Sequence, residues 1–170
     1  NLPSLVHELD ELNLDYFHID CFDKDVQKVD KDVKAIRSFS NTAIDLHVIS
    51  SRASFFLNKA KEWQVNQLTF QFENLEETIT FPKERTYKIG MAITNKTDLS
   101  VLKNYQHQLD YILLMTTTPG KSGGTFQKSS FERIRKCKTL YPNLPIYVDG
   151  GINAEVSFIL RLLGVSMAVS

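Results

Sequence analysis

The fold class is decided by LDYILLMTTT (109–118), QKSSFERIRKCKTLY (127–141) and PIYVDGGI (145–152), which follow one another in the chain. The first and third stretches are short, nearly continuous apolar runs of the kind found in buried strands, whereas the middle stretch has helical periodicity. Two strands joined by a helical crossover run parallel. The unit therefore predicts a parallel sheet covered by helices.

The same alternation extends over the rest of the chain. Further strands are predicted at 14–22, 43–50, 67–74, 86–94 and 166–170, and helices at 4–13, 30–39, 52–63, 97–108 and 154–164. This repetition predicts an α/β fold, a (β/α)8 TIM barrel forming one domain over residues 1–170, with an open sheet as the alternative on strand count alone. Because such barrels take about 250 residues, we expect a first strand and a last helix to be missing from the sequence.

Composition favours a small-molecule partner. Lys plus Arg equals Asp plus Glu at 20 each in a chain of 170 residues, so no overall field attracts nucleic acid or an acidic membrane. Cys21 and Cys137 lie far apart without a CxxC motif, which argues against a disulfide framework or a thiolate zinc site and suits a reduced cytosol. No apolar run approaches the roughly 20 residues that span a bilayer.

Four side chains of metal-ligand type lie near the ends of strand-like runs: His18, Asp20, His47 and Asp149. Two imidazoles and two carboxylates can hold one divalent cation, and carboxylates beside a cation can move protons. A lone histidine in a strand is more often a core residue than a ligand. The four together favour a cation, because two buried carboxylates without a counter-charge would be costly. In a parallel barrel they would converge at one mouth.

Two glycine-containing stretches follow strands, namely PGKSGGTF (119–126) and DGG (149–151). Glycine lets backbone amides approach an anion closely, and loops after barrel strands commonly hold phosphate. Each stretch alone is a weak signal, because glycine-rich turns are often only turns.

The basic residues of the helical runs, Arg133 among them, are expected to be solvated.

The order of these motifs resembles the ribulose-phosphate 3-epimerase family. The resemblance is carried by HID (18–20), DLHV (45–48), KIGMAI (88–93) with Thr97, LLMTTTPGKSGGTF (113–126) and VDGGI (148–152). It implies that the four ligand-type residues bind the metal and that Asp20 and Asp149 are the catalytic acid/base pair. It also implies a set of substrate- and phosphate-binding residues: Met115, Gly120, Ser122, Gly123, Gly150 and Gly151.

The implied activity is inversion of carbon 3 of a ketose phosphate through a cis-enediolate. The substrate would be D-ribulose 5-phosphate, giving D-xylulose 5-phosphate, or a related ketohexose phosphate. The implied cofactor is one divalent ion, Zn²⁺, Fe²⁺, Mn²⁺ or Co²⁺. The expected partner is the sugar phosphate, without nucleic acid or membrane, in a homo-oligomeric cytoplasmic enzyme.

The chain departs from the family pattern around the pocket. Phe22 and Ile49 stand where the family usually has methionine, and Gln71 replaces a histidine before Glu73.

Two alternative functions remain. A related barrel decarboxylase would need an Asp-x-Lys-x-x-Asp pattern, which the stretch 20–24 does not supply. A non-catalytic homologue that binds a sugar phosphate is the other.

Overall fold

The computed structural model describes residues 2–12, 14–117 and 124–169, and its centre is a parallel sheet. Every pair of neighbouring strands is parallel, and the strands follow chain order from first to last. An open doubly wound sheet would reverse this order at a switch point. The predicted TIM-barrel architecture is therefore confirmed. The described residues form seven strands, β1 (Tyr16–Phe22), β2 (Ala43–Ile49), β3 (Gln67–Gln71), β4 (Lys88–Ile93), β5 (Tyr111–Met115), β6 (Ile146–Asp149) and β7 (Met167–Val169).

Helices connect most of the strands. They are α1 (Leu2–Glu11), α2 (Val26–Phe39), α3 (Ala53–Glu62), α4 (Ser129–Leu140) and α5 (Ala154–Leu162). β1 and β7 are the outer strands of the sheet, and a cavity of about 400 Å³ lies between them, lined also by α1. An eighth strand stays a prediction.

The predicted helix at 97–108 is wrong in type. The chain forms only a short 3₁₀ helix, Leu99–Asn104, which Asp98 caps by accepting a hydrogen bond from the Ser100 amide at 2.8 Å. Leu99 and Leu102 are both buried. The two leucines are three residues apart, so a 3₁₀ helix places both on one face and buries the pair that the predicted α-helix would have buried.

The apolar side chains of the sheet fall into two separate clusters. Outward-facing side chains such as Cys21 and Leu114 pack against the helices, whereas Leu113, Met115 and Tyr147 belong to a smaller cluster inside the barrel. Tyr111 and Tyr147 stack there with ring centroids 4.3 Å apart. This inner cluster fills the barrel beside the polar site.

Cys21 and Cys137 are both free and buried. Within the described ranges, none of the helices combines the length and apolarity needed to cross a bilayer.

Candidate metal and acid/base site

The four ligand-type side chains come together at one point of the barrel. β1 supplies His18 and Asp20, β2 supplies His47, and β6 supplies Asp149. One ligand atom from each lies within 4.8 Å of all the others. Nδ1 of His47 is 3.0 Å from Oδ1 of Asp20, and Nε2 of His18 is 3.4 Å from the same oxygen and 3.9 Å from Oδ2 of Asp149. The predicted convergence is confirmed.

The strand register explains this grouping. Asp20 is the direct partner of His47 across the β1–β2 ladder. His18 and Asp20 are two residues apart, so both point to the barrel interior. Asp149 is the last residue of β6, which places its carboxylate at the carboxyl end of the sheet. Enzymes with this fold carry their active sites at that end.

Asp45 orients His18, a role that the sequence reasoning missed. Its Oδ2 lies 2.7 Å from Nδ1 of His18, and its side chain is almost fully buried. An imidazole that donates its Nδ1 proton to a carboxylate presents Nε2 as the metal-binding atom. Nε2 of His18 is buried and has no hydrogen-bond partner among the described residues. A nitrogen left without a partner between two carboxylates fits a bound cation.

His47 is held from the opposite side by a residue of β3. Its Nε2 lies 2.8 Å from Oε1 of Gln71, and Nε2 of Gln71 donates to Oε2 of Glu73. Nδ1 of His47 therefore faces Asp20 and the point where the four side chains meet. The sequence drew attention to Gln71 and Glu73 only as a departure from the family pattern.

Arg133 is not a solvated helix residue, which corrects the expectation from the sequence. Its Nη2 donates to the carbonyl oxygens of Thr94, at 2.9 Å, and Thr97. The guanidinium thus ties α4 to the loop after β4. Helical periodicity identifies the helix face of such a residue but not the carbonyl groups that the fold brings to it.

The site sets the proton affinities of its two carboxylates apart. Burial raises the pKa of Asp149 above its ordinary value, and the nearby imidazoles of His18 and His47 offset this only in part. Burial acts in the same direction on Asp20, but its close contacts with the imidazoles of His18 and His47 outweigh burial and hold its pKa far below the usual range. Carboxyl groups whose environments separate their pKa values suit the roles of acid and base.

His18 strongly retains a proton when no cation is bound. Burial alone would lower its pKa, but the close carboxylates of Asp20 and Asp45 and the charge of Asp149 raise it to about 10. The positive imidazolium then balances part of the charge of the surrounding carboxylates. A cation at the same place would supply that charge instead.

The two predicted phosphate loops meet in space where the structure describes them. Gly150 and Gly151 have φ values of 108° and 70°, which favour glycine. A Cβ on Gly151 would lie 2.4 Å from the backbone nitrogen of Phe126, so the turn after β6 packs directly against the end of the 119–126 loop. Met115, at the end of β5, is the register partner of Asp149. Gly120, Ser122 and Gly123 lie outside the described residues.

The fold and the site together define a barrel enzyme with a His/Asp cluster for a cation at the carboxyl ends of its strands. Residues 1–170 match the model of the Ribulose-phosphate 3 epimerase family. The chain belongs to this family of carbohydrate epimerases.

Curated relatives agree with this assignment. Ribulose-phosphate 3-epimerase of Buchnera aphidicola subsp. Baizongia pistaciae is 30% identical over 169 residues, a match that covers 91% of this chain and 74% of the relative. The enzyme of the same name from Aquifex aeolicus is 32% identical over 124 residues, which cover 69% of this chain and 56% of that protein. The chain thus spans between about half and three quarters of the length of these two relatives.

Solved structures share the fold at low sequence identity. FabK from Thermotoga maritima superposes with a TM-score of 0.61 at 17% identity, covering 84% of this chain and 45% of that one. Orotidine 5'-monophosphate decarboxylase from Methanocaldococcus jannaschii gives a TM-score of 0.52 at 12% identity, covering 92% of this chain and 75% of that one. Both likenesses concern the barrel alone.

Proposed function

We propose that this protein is a metal-dependent epimerase that inverts carbon 3 of a ketose phosphate. The preferred substrate pair is D-ribulose 5-phosphate and D-xylulose 5-phosphate, and a ketohexose phosphate is the second candidate. The observation that carries the proposal is the meeting of two carboxylates and two imidazoles at one point in a member of this family. Family membership supports the reaction class, and the cluster supports the chemistry.

The cofactor in this proposal is one divalent ion held by His18, Asp20, His47 and Asp149. Zn²⁺, Fe²⁺, Mn²⁺ and Co²⁺ all accept this mixture of nitrogen and oxygen ligands. When bound, the ion supplies Lewis-acid stabilisation of the negative charge that develops on the substrate oxygens. The buried Nε2 of His18, which has no hydrogen-bond partner among the described residues, is the feature of the site that best supports this assignment.

Asp20 and Asp149 transfer the protons. Epimerisation beside a carbonyl requires one group to remove the proton from carbon 3 and a second group to return a proton on the opposite face. The two carboxylates come from β1 and β6, which are not adjacent in the sheet, and in this proposal each acts on one face of the substrate. Their unequal proton affinities suit alternation between acid and base.

The phosphate of the substrate binds at the loops after β5 and β6. Gly150 and Gly151 supply the turn after β6, and Gly120, Ser122 and Gly123 complete this proposed phosphate site. Met115 lines the pocket beside Asp149. These residues orient the sugar, and orientation alone contributes several kcal/mol to such reactions.

Conversion of D-ribulose 5-phosphate to D-xylulose 5-phosphate tests the proposal. The assay compares protein stripped with a chelator, the same protein reloaded with each ion in turn, and the variants Asp20→Asn and Asp149→Asn. We expect activity only with metal and a loss of at least about 100-fold in each variant. Metal-loaded protein that turns over neither this pentose phosphate nor a panel of ketohexose phosphates would overturn the proposal.

A homo-oligomeric assembly and a cytosolic location complete the proposal. Family membership supports the first. The free state of both buried cysteines supports the second, because oxidising compartments favour disulfides. Light scattering coupled to size-exclusion chromatography measures the assembly, and a monomer at micromolar concentration would refute it.

A further inference from the structure

We propose that Gln71, oriented by Glu73, is a positioning residue that keeps a proton on Nε2 of His47 and reserves Nδ1 for the cation. The inference rests on the proposed cation site. It concerns the choice between the two nitrogens of one ligand. That choice matters because only a nitrogen without a proton can coordinate a metal.

The contact between Gln71 and His47 is sealed from water. Oε1 of Gln71 lies 2.8 Å from Nε2 of His47. His47 is 0% exposed and Gln71 is 1% exposed. A buried carbonyl oxygen left without a donor destabilises the protein, so this contact favours the form of His47 that is protonated at Nε2.

Glu73 determines which end of the Gln71 amide faces His47. The nitrogen of that amide donates to Oε2 of Glu73. An ionised carboxylate only accepts hydrogen bonds, so it selects the NH₂ group of Gln71 and leaves the carbonyl oxygen pointing at the imidazole. With the amide reversed, an NH₂ group would face His47 and an oxygen would face the carboxylate.

The carboxylate of Glu73 is itself fixed by the loop after β4. Its Oε1 accepts hydrogen bonds from the Thr94 amide at 2.8 Å, from the Thr94 hydroxyl at 3.0 Å and from the Thr97 hydroxyl. Arg133 of α4 holds the carbonyl groups of the same two threonines. A continuous series of contacts therefore runs from α4 through Glu73 and Gln71 to a metal ligand.

Two substitutions separate the acceptor from its orientation. Gln71→Met keeps the length of the side chain and removes the acceptor. In Glu73→Gln, the oxygen of the new amide continues to accept from the three donors of Thr94 and Thr97. The NH₂ group of that amide then faces the NH₂ group of Gln71, which forces the Gln71 amide to reverse and to present its own NH₂ group to His47. Gln67→Met is the matched control, because Gln67 is an equally buried glutamine of the same strand that forms no hydrogen bond with His47.

The test is ¹⁵N NMR of the histidine side chains in metal-free protein at pH 8, followed by Zn²⁺ titration. In wild type and in Gln67→Met, we expect Nε2 of His47 to carry a proton that exchanges slowly with water. In Gln71→Met and Glu73→Gln, we expect that proton to exchange rapidly or to be lost, and Zn²⁺ affinity to fall by about 10- to 100-fold. Circular dichroism confirms that each variant is folded.

The inference is overturned if Nε2 of His47 carries no proton in the wild type. It is also overturned if Gln71→Met and Glu73→Gln both keep the slowly exchanging proton on Nε2 of His47 and both bind Zn²⁺ with wild-type affinity. The NMR measurement needs neither metal nor substrate. A wild-type protein that shows the protected proton but binds no Zn²⁺ therefore refutes the proposed cation site while upholding the contact between Gln71 and His47. The two failures are thus distinguishable.

Discussion

Nδ1 of His18 lies 2.7 Å from Oδ2 of Asp45, and the two residues are direct partners across the β1–β2 ladder. The parallel register of β1 and β2 therefore places the buried Asp45 carboxylate next to His18, a candidate metal ligand. Both residues lie within strands, so no loop is needed to bring them together. The same ladder pairs Asp20 with His47. One strand pair thus supplies three ligand candidates and the group that orients one of them.

Asp45→Asn should weaken metal binding although Asp45 is not a proposed ligand. The amide can still accept the Nδ1 proton of His18, but it lacks the charge that makes Nε2 a better donor to the ion. We expect Zn²⁺ affinity to fall by about 10- to 100-fold in calorimetric titrations. Asp23→Asn is the control, because Asp23 is exposed and pairs with Arg52 instead. Equal affinities in the two variants would contradict the role of Asp45.

Metal binding should release protons over a defined pH range. His18 has a pKa of about 10 in the metal-free protein, so it is protonated at pH 8 and must lose its Nε2 proton to coordinate the ion. We expect His18 to contribute about one released proton per ion at pH 8, declining as pH rises through that pKa. Calorimetry in buffers of different ionisation enthalpy counts the protons. A heat of binding that does not depend on the buffer at pH 8 would count against a protonated His18.

Much of this site could be predicted from the sequence, because the ligand residue types end strands that a parallel barrel brings to one mouth. The roles of Asp45 and Gln71 could not. Asp45 lies directly opposite His18 across the β1–β2 ladder, whereas Gln71 contacts His47 from two residues beyond Thr69, the register partner of His47. Both contacts depend on strand register, and a shift of one residue would turn these side chains away from the site. Arg133 was misjudged for a similar reason, since its acceptors are carbonyl groups of a distant loop.

Gly151→Ala should impair both stability and substrate binding. Its φ of 70° is unfavourable for alanine, and the new Cβ would lie 2.4 Å from a backbone nitrogen that cannot move away easily. We expect a loss of about 1–3 kcal/mol in the free energy of unfolding and a higher KM for the sugar phosphate. Urea denaturation and steady-state kinetics measure the two effects.

The matched control is Gly164→Ala. Gly164 has a similar φ of 68°, but its nearest neighbour is the flexible end of Lys138 at 2.6 Å, after α5. It should lose about 1–2 kcal/mol of stability, mainly from backbone strain, and keep its KM. If the KM of Gly151→Ala is no higher than that of Gly164→Ala, the turn at Gly151 is not part of the phosphate site.

Gly90 and Tyr111 should be energetically coupled inside the barrel. A Cβ on Gly90 would lie 2.1 Å from the Tyr111 ring. Gly90→Ala is expected to cost about 1–3 kcal/mol of stability through overpacking. In a Tyr111→Leu background the ring is gone, so the added cost should largely vanish. A double-mutant cycle in urea gives the coupling, and additive losses would show that the two positions are independent.

Deuterium incorporation at carbon 3 of D-ribulose 5-phosphate tests the two-carboxylate epimerase most directly. The sugar is incubated in D₂O with metal-loaded wild type, Asp20→Asn or Asp149→Asn, and carbon 3 is followed by NMR. We expect the wild type to place solvent deuterium at carbon 3 and to form D-xylulose 5-phosphate, and each variant to lose that conversion by at least about 100-fold. Conversion at the wild-type rate in either variant, or no deuterium at carbon 3 with the metal bound, would contradict the account.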